Sequence, residues 1–227
     1  MLEPKSLDFS TVLASSVHDM KNSVSMLIAS LEEVLAEIPK QNPVQAEQVN
    51  SLHYEASRIN NELVQLLSIY RLQQKHLFMV IDQHYVGDVL EDQVARNYPL
   101  IKSRGITLTV NCDDALEAYF DADLIGNVVQ NILVNGCRYT KSKLQLNASM
   151  NEGFLCISIA DDGDGFPESM LDFSDEKKFG SGHSTHLGLY FASLIASMHT
   201  SPRGTGRIVL RNGEPLGGGV FELYIPN

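Results

Sequence analysis

The sequence predicts an α+β protein in two units: an N-terminal helical hairpin that dimerises into a four-helix bundle, then an α/β sandwich. Three observations carry the prediction. Two apolar heptad stripes flank a double proline break, five β-branched stretches alternate with helical ones beyond residue 80, and charge divides unevenly along the 227 residues. Residues 1–79 carry six basic and nine acidic side chains and residues 80–227 carry eleven and nineteen, which sets the expected domains as 1–79 and 80–227.

In the first unit, Leu13, Val17, Met20, Val24, Leu27, Leu31, Val34 and Ile38 recur at alternating steps of four and three, the seam of one helix. Leu52, Ala56, Ile59, Leu63, Leu66 and Tyr70 repeat the alternation on a second helix. Between them "PKQNP" stops the chain twice, because proline lacks an amide donor and restricts the residue before it. Two helices of about 30 residues cannot enclose their own stripes. A second copy closes them into a bundle, so a homodimer is expected.

In the second unit, "ITLTV" (106–110), "KLQLNASM" (143–150), "FLCISIA" (154–160), "GRIVLR" (206–211) and "VFELYI" (220–225) predict strands. "DADLIGNVVQNILVNGCRY" (121–139) predicts a helix that buries Leu124, Val128, Ile132 and Cys137 and sets Asn131 and Asn135 four apart on another face. Paired amides of this kind serve either a polar ligand or metal, or helix capping. "IADDGDGFP" (159–167) follows a strand. Its Asp-Gly steps suit ordinary turns. Gly163 and Gly165 would also let the backbone approach a flat ring, with Asp161 accepting a hydrogen bond from an exocyclic amine. "FGSGHSTHLGLYFASLIASM" (179–198) is a glycine- and serine-rich loop entering a helix, suited to covering a nucleotide and offering amide donors to phosphate.

Composition narrows the function. A formal charge of −11 argues against nucleic acid, whose phosphates are bound through lysine and arginine. No apolar run approaches the roughly 18 to 20 residues of a membrane span, and Met1 to Ser10 lacks a secretion signal, so a cytoplasmic protein is expected. Cys112, Cys137 and Cys156 form no CxxC pair and are expected as reduced core thiols.

The stretch "SSVHDMKNSVSM" (15–26) places His18 just outside the seam, between Val17 and Met20, with Asn22 one turn on. It is either a solvated polar stripe or a phosphoryl acceptor. A neutral imidazole is a nucleophile near neutral pH, Asp19 beside it can orient the ring and take its other proton, and an amide one turn away can hold a water.

Taken together, the motifs resemble the sensor histidine kinases of two-component signalling, over nearly the whole chain. "HDMKN" is similar to the H box, "NILVNGCRY" to the N box, "DDGDGF" to the G1 box and "STHLGL" to the G2 box. The resemblance implies a histidine-phosphotransfer hairpin followed by a Bergerat-type (GHKL) ATP-binding domain. It also implies ATP and Mg2+, autophosphorylation of His18, and transfer to an aspartate of a response-regulator receiver docking beside His18. By the same resemblance Asp19 is the base, and Asn22 positions water for dephosphorylating that partner. Asn131 lines the nucleotide site and Asn135 is the magnesium ligand, with Arg138 and Tyr139 facing the nucleotide. Asp161 reads adenine in a pocket shaped by Gly163 and Gly165, and Gly188 lies at the phosphate end of the lid. Three positions depart from the pattern: Ser23 stands where relatives have proline, His186 replaces a glycine of the last box, and only Phe173 and Phe179 offer an F box. His186 either donates to a phosphate oxygen or obstructs tight binding. With about ten residues before the first helix, the chain is expected to be a piece of a larger kinase or a short kinase served by a separate sensor protein, and Met1 favours the second. The alternative function is a kinase-like phosphotransfer adaptor that uses no ATP.

Overall fold

The computed structural model describes residues 9–37, 43–73, 78–171 and 187–227. The chain divides into two compact units, Met1–Phe78 and Met79–Asn227.

The first unit holds two helices, α1 (Phe9–Glu37) and α2 (Pro43–Gln73), packed along each other. Pro43 opens α2, where a missing N–H removes no helical bond. The rest of "PKQNP" (39–42), like Ile38, lies outside the described residues. Along the heptad stripes, burial alternates. Val17 and Ala56 are buried, and Val24, Leu31, Leu63 and Tyr70 are half-buried. Met20, Leu27 and Val34 on α1, and Leu52, Ile59 and Leu66 on α2, remain exposed at steps of seven. Each helix therefore packs half of its stripe against the other and leaves half outward.

The second unit is a mixed α/β sandwich. Its sheet orders as β2 (Thr107–Asn111), β4 (Lys143–Asn151), β5 (Phe154–Asp161), β9 (Gly219–Pro226) and β8 (Arg207–Asn212), antiparallel except for the parallel β2–β4 pair. Alternation sets the two faces. Leu144, Leu146, Leu155, Ile157, Ile159, Leu223 and Ile225 are buried beneath the helices α3 (Val86–Ser103), α4 (Ala122–Tyr139) and α6 (Leu187–Met198). The opposite face is polar and carries a ladder in which Asn111 and Gln145 donate to Asn147 and Asn147 donates to Ser158. A short antiparallel pair, β1 (Asp82–Tyr85) with β3 (Glu117–Phe120), lies beside α3; α5 (Glu168–Leu171) and the two-residue strands β6 (Thr200–Ser201) and β7 (Gly204–Thr205) complete the unit.

All five predicted strands are present within a residue of their expected ends, and α4 buries Leu124, Val128, Ile132 and Cys137 as the periodicity requires. Two of the three thiols depart from the expected core placement. Cys137 is a core residue whose pKa burial pushes up to about 11. Cys112 and Cys156 are only half-buried, the first at a surface groove and the second on the polar sheet face.

Candidate functional site

Helix α4 is anchored before its first turn. Asp121 caps it, one carboxylate oxygen accepting from Leu124 N (3.0 Å) and the other from Val80 N (2.8 Å). The Asp121 amide in turn donates to Nε2 of buried His199 (3.2 Å), whose Nδ1–H donates to the Ile195 carbonyl (2.9 Å). Burial holds the His199 pKa down, so the ring is neutral and supplies one acceptor and one donor. The start of α4 and the end of α6 are thereby tied together.

Between those helices lies the first part of the site. Asn131, in the middle of α4, has a buried Nδ2 with no hydrogen-bond partner among the described residues, a state that costs free energy unless another group satisfies it. Gly188, in the first turn of α6, sits against that amide so closely that a Cβ there would collide with Asn131 Nδ2. Asn135 is half-buried one turn further along α4. Neither asparagine is a cap, since Asp121 and Thr140 occupy those positions. Arg138 and Tyr139 are exposed at the end of α4, the guanidinium stacked 5.4 Å from the ring centroid.

The second part follows β5. Asp161 Oδ1 accepts from the Gly163 amide (2.7 Å) and the Gly219 amide (3.2 Å). The wall around this carboxylate admits glycine alone: a Cβ at Gly163 would strike the Tyr139 carbonyl, one at Gly218 would lie 2.5 Å from Asp161 Oδ1, and one at Gly219 would lie 2.9 Å from Oδ2. Two backbone donors hold one oxygen, which fixes the carboxylate plane, and Oδ2 accepts no hydrogen bond among the described residues. Gly165 adopts φ +80°, and Asn212 fills the space a Cβ would take. Asn212 Oδ1 accepts from Phe166 N (2.7 Å) and its Nδ2 donates to Phe166 O (2.8 Å), pinning this loop to the end of β8.

Asp162 points the other way and braces the turn after α4. It accepts from the amides of Lys141 (2.8 Å), Ser142 (2.9 Å) and Lys143 (3.0 Å) and from the hydroxyls of Thr140 (2.5 Å) and Ser142 (2.8 Å). Desolvation alone would raise its pKa, but the bonds from Thr140, Ser142 and Lys143 outweigh it and hold the carboxyl well below the usual range. A depressed folded-state pKa stabilises the fold fully above the unfolded value of about 3.9, and that stabilisation is lost as pH falls towards the folded value. The urea midpoint of the protein is therefore expected to drop more steeply between about pH 5 and about pH 3 than that of Asp162→Asn. Parallel slopes would refute this role.

On the first unit, His18 is exposed on α1. Its Nδ1 lies 3.3 Å from Asn22 Nδ2 and 3.7 Å from Asp19 Oδ1, and Ser23 turns its hydroxyl back to the Asp19 carbonyl (3.0 Å). Both neighbours lie nearest the same ring nitrogen, which accepts from the Asn22 amide in one tautomer and carries a proton towards the Asp19 carboxylate in the other.

The structure thus brings Asp161, Gly163 and Gly219 together, sets Gly163 on the Tyr139 backbone, and sets Gly188 on Asn131; His18, Asp19 and Asn22 form a separate cluster on α1. His186, Phe173 and Phe179 lie outside the described residues. Sequence reasoning missed Asn212 at the end of β8, Gly218 in the turn after it and Gly219 at the start of β9; the run "GGG" (217–219) was the available signal for the two glycines. Among the described residues no cluster of three metal-ligating side chains occurs, and no helix is long and apolar enough to cross a membrane.

Residues 120–227 match the family model described as "Histidine kinase-, DNA gyrase B-, and HSP90-like ATPase". Among curated proteins, the chain is 23% identical over 190 residues to the sensor histidine kinase GraS of Staphylococcus haemolyticus, covering 81% of this chain and 53% of that protein. It is 21% identical over 164 residues to the virulence sensor histidine kinase PhoQ of Salmonella typhimurium, covering 71% and 32%. The chain thus spans about half or less of these relatives' lengths. Among solved structures, the histidine kinase AdeS of Acinetobacter baumannii aligns with a TM-score of 0.59 at 18% identity, over 92% of this chain and 97% of that one. Full-length ShkA, solved in complex with AMPPNP, aligns with a TM-score of 0.62 at 19% identity, over 95% and 45%.

Proposed function

We propose, on the premise that residues 120–227 belong to the histidine kinase-, DNA gyrase B- and HSP90-like ATPase family, that the chain is an ATP-dependent histidine autokinase and phosphodonor. The observation that carries this reading is Asp161: a carboxylate with one oxygen held by two backbone amides and the other left over in a wall only glycine can form. An adenine exocyclic amine suits that oxygen, and the glycines admit a flat ring.

In this reading 80–227 is the nucleotide-binding domain. Asn131 gives its orphaned amide to the nucleotide, Arg138 and Tyr139 flank it, and Gly188 leaves room for phosphate at the start of α6. His186, which precedes α6 in sequence and lies outside the described residues, would donate to a phosphate oxygen. Asn135 would hold Mg2+, which would neutralise charge on the phosphates. The domain 1–79 supplies the acceptor. In the reactive tautomer Nδ1 carries the proton and gives up the Asn22 contact to donate towards Asp19, so Nε2 presents its lone pair to the γ-phosphorus. The P–N bond forms as the bridging P–O bond to ADP breaks. The phosphoryl group then passes to a receiver aspartate of a response regulator, which frees the histidine. Asn22 positions the water that later hydrolyses that acyl phosphate. The exposed halves of the heptad stripes pair with a second copy as a four-helix bundle. A cytoplasmic homodimer completes the proposal.

Asp161→Asn tests the nucleotide site. The amide still accepts at Oδ1 but offers adenine an N–H or a weaker acceptor, so affinity for a non-hydrolysable ATP analogue is expected to fall by about tenfold or more, with fold and dimer intact. Titration calorimetry reads this directly. Unchanged affinity would favour the adaptor that carries phosphate on His18 without using ATP.

A further inference from the structure

Strand β2 ends the five-stranded sheet, paired to β4 on one side and to no strand among the described residues on the other. Its face towards the helices is unevenly covered. Leu108 packs against the core of Ile101, Ile106, Cys137 and Leu144, whereas Val110, two residues on and pointing the same way, is 40% exposed. Helix α3 runs beside this edge without closing over it. The space left is a groove of about 560 Å³, lined on the helix by Gly87, Glu91, Val94, Ala95 and Tyr98 and on the strand side by Val110, Cys112 and Asp114.

An unpaired strand edge beside a helix, with an apolar floor between, is the arrangement in which extended peptides add as a further strand: main-chain bonds supply affinity, and alternate side chains enter the groove. The charge of this groove selects the peptide. Glu91 and Asp114 line it, with Asp88 and Asp113 adjacent in sequence. The Cys112 thiol has its pKa raised by burial first and then by Asp113, Asp114 and Glu91, so these carboxylates act together at the groove's end. Of the nearby cations, Arg96 is paired with Asp92 (3.5 Å), and Lys102 stands 5.8 Å over the Tyr98 ring at the far end.

We propose that the groove between α3 and the free edge of β2 is a docking site for an extended segment of a partner protein whose groove-facing positions, every second residue, carry β-branched side chains and, at the acidic end, lysine or arginine. The segment pairs with β2. Its apolar side chains cover Val110, Val94 and Ala95, and its cations meet Glu91 and Asp114. The site is separate in residues from the one assigned to the nucleotide and does not depend on it.

The test is a positional-scanning library of acetylated, amidated hexapeptides screened against the full chain. Selection is expected to enrich valine or isoleucine at every second position, with lysine or arginine at one end of that same set of positions. N-methylation of alternate peptide amides is expected to remove binding, because main-chain bonds would be lost. Glu91→Lys with Asp114→Lys is expected to weaken the selected peptide at least about tenfold and turn the preference to aspartate or glutamate. Binding of an ATP analogue to this variant stays unchanged, which verifies its fold. No enriched sequence, undiminished binding of N-methylated peptides, or an unaltered preference in the double variant would each overturn the proposal. So would a dimer formed by pairing of two β2 edges, seen as a peptide-insensitive association that Val110→Lys abolishes.

Discussion

His18→Gln is expected to abolish acid-labile labelling of the protein by γ-labelled ATP. In the proposed reaction the imidazole is the nucleophile, and glutamine keeps the length and polarity of the side chain without a nucleophilic nitrogen. Asp19 can serve only a ring beside it: its Oδ1 lies 3.7 Å from His18 Nδ1, while His53, the other histidine described on the hairpin, pairs with Glu32 across the two helices at 3.3 Å. Asn22→Ala separates a second step. Its amide contacts Nδ1 rather than Nε2, so labelling should remain within a few-fold of the parent protein. Dephosphorylation of a phosphorylated receiver should slow roughly a hundredfold, the scale for losing one positioned catalytic group. Decay of a labelled receiver mixed with each variant measures this. Should Asn22→Ala remove labelling as fully as His18→Gln, the asparagine would belong to the kinase step; should neither variant change anything, the stretch 15–26 would be a solvated helix face.

Leu27→Glu combined with Ile59→Glu is expected to convert the proposed homodimer into a folded monomer. Both residues are exposed within a single hairpin, at 51% and 43%, so the substitutions leave the contact between α1 and α2 untouched. In a four-helix bundle the same positions face the second copy, and two copies would bury four carboxylates. Burial of an unpaired charge costs several kcal/mol, so even partial burial should weaken association by about a thousandfold, ~4 kcal/mol. Sedimentation velocity should give the monomer mass while circular dichroism keeps its helical signal. A variant that still sediments as a dimer would place the interface elsewhere.

The parts of the fold that the sequence made legible are those with clean periodicity. Helix α4 repeats its apolar stripe and strands β4, β5 and β9 alternate over their central residues, and each appears where expected. Helix α3 did not, because its buried face includes Gln93 and Asn97 alongside Val86, Leu90 and Ile101, and Pro99 lies within it. Two polar residues erase the apolar stripe. They are tolerated because Asn97 Nδ2 donates to the Gln93 carbonyl (2.7 Å) and to Gln130 on α4 (3.1 Å), partners a linear reading cannot supply. Strand β1, "DQHY", carries no apolar alternation and exists through its pairing with β3.

The sequence by itself determined which residues carry reactive or recognising groups: His18 beside Asp19, two amides four apart on α4, and a carboxylate among glycines after β5. Those are local patterns, set by helix and strand periods and by the chemistry of single side chains. Tertiary structure decided what each group can do. Asp161 became a fixed acceptor because Gly219, 58 residues away, donates to it; Asn131 became an orphaned donor because α6 brings Gly188 against it; and Val110 stayed open because α3 stops short of the sheet edge. Hydrogen-bond saturation and burial depend on which backbone arrives from elsewhere in the chain, and only the folded molecule specifies that.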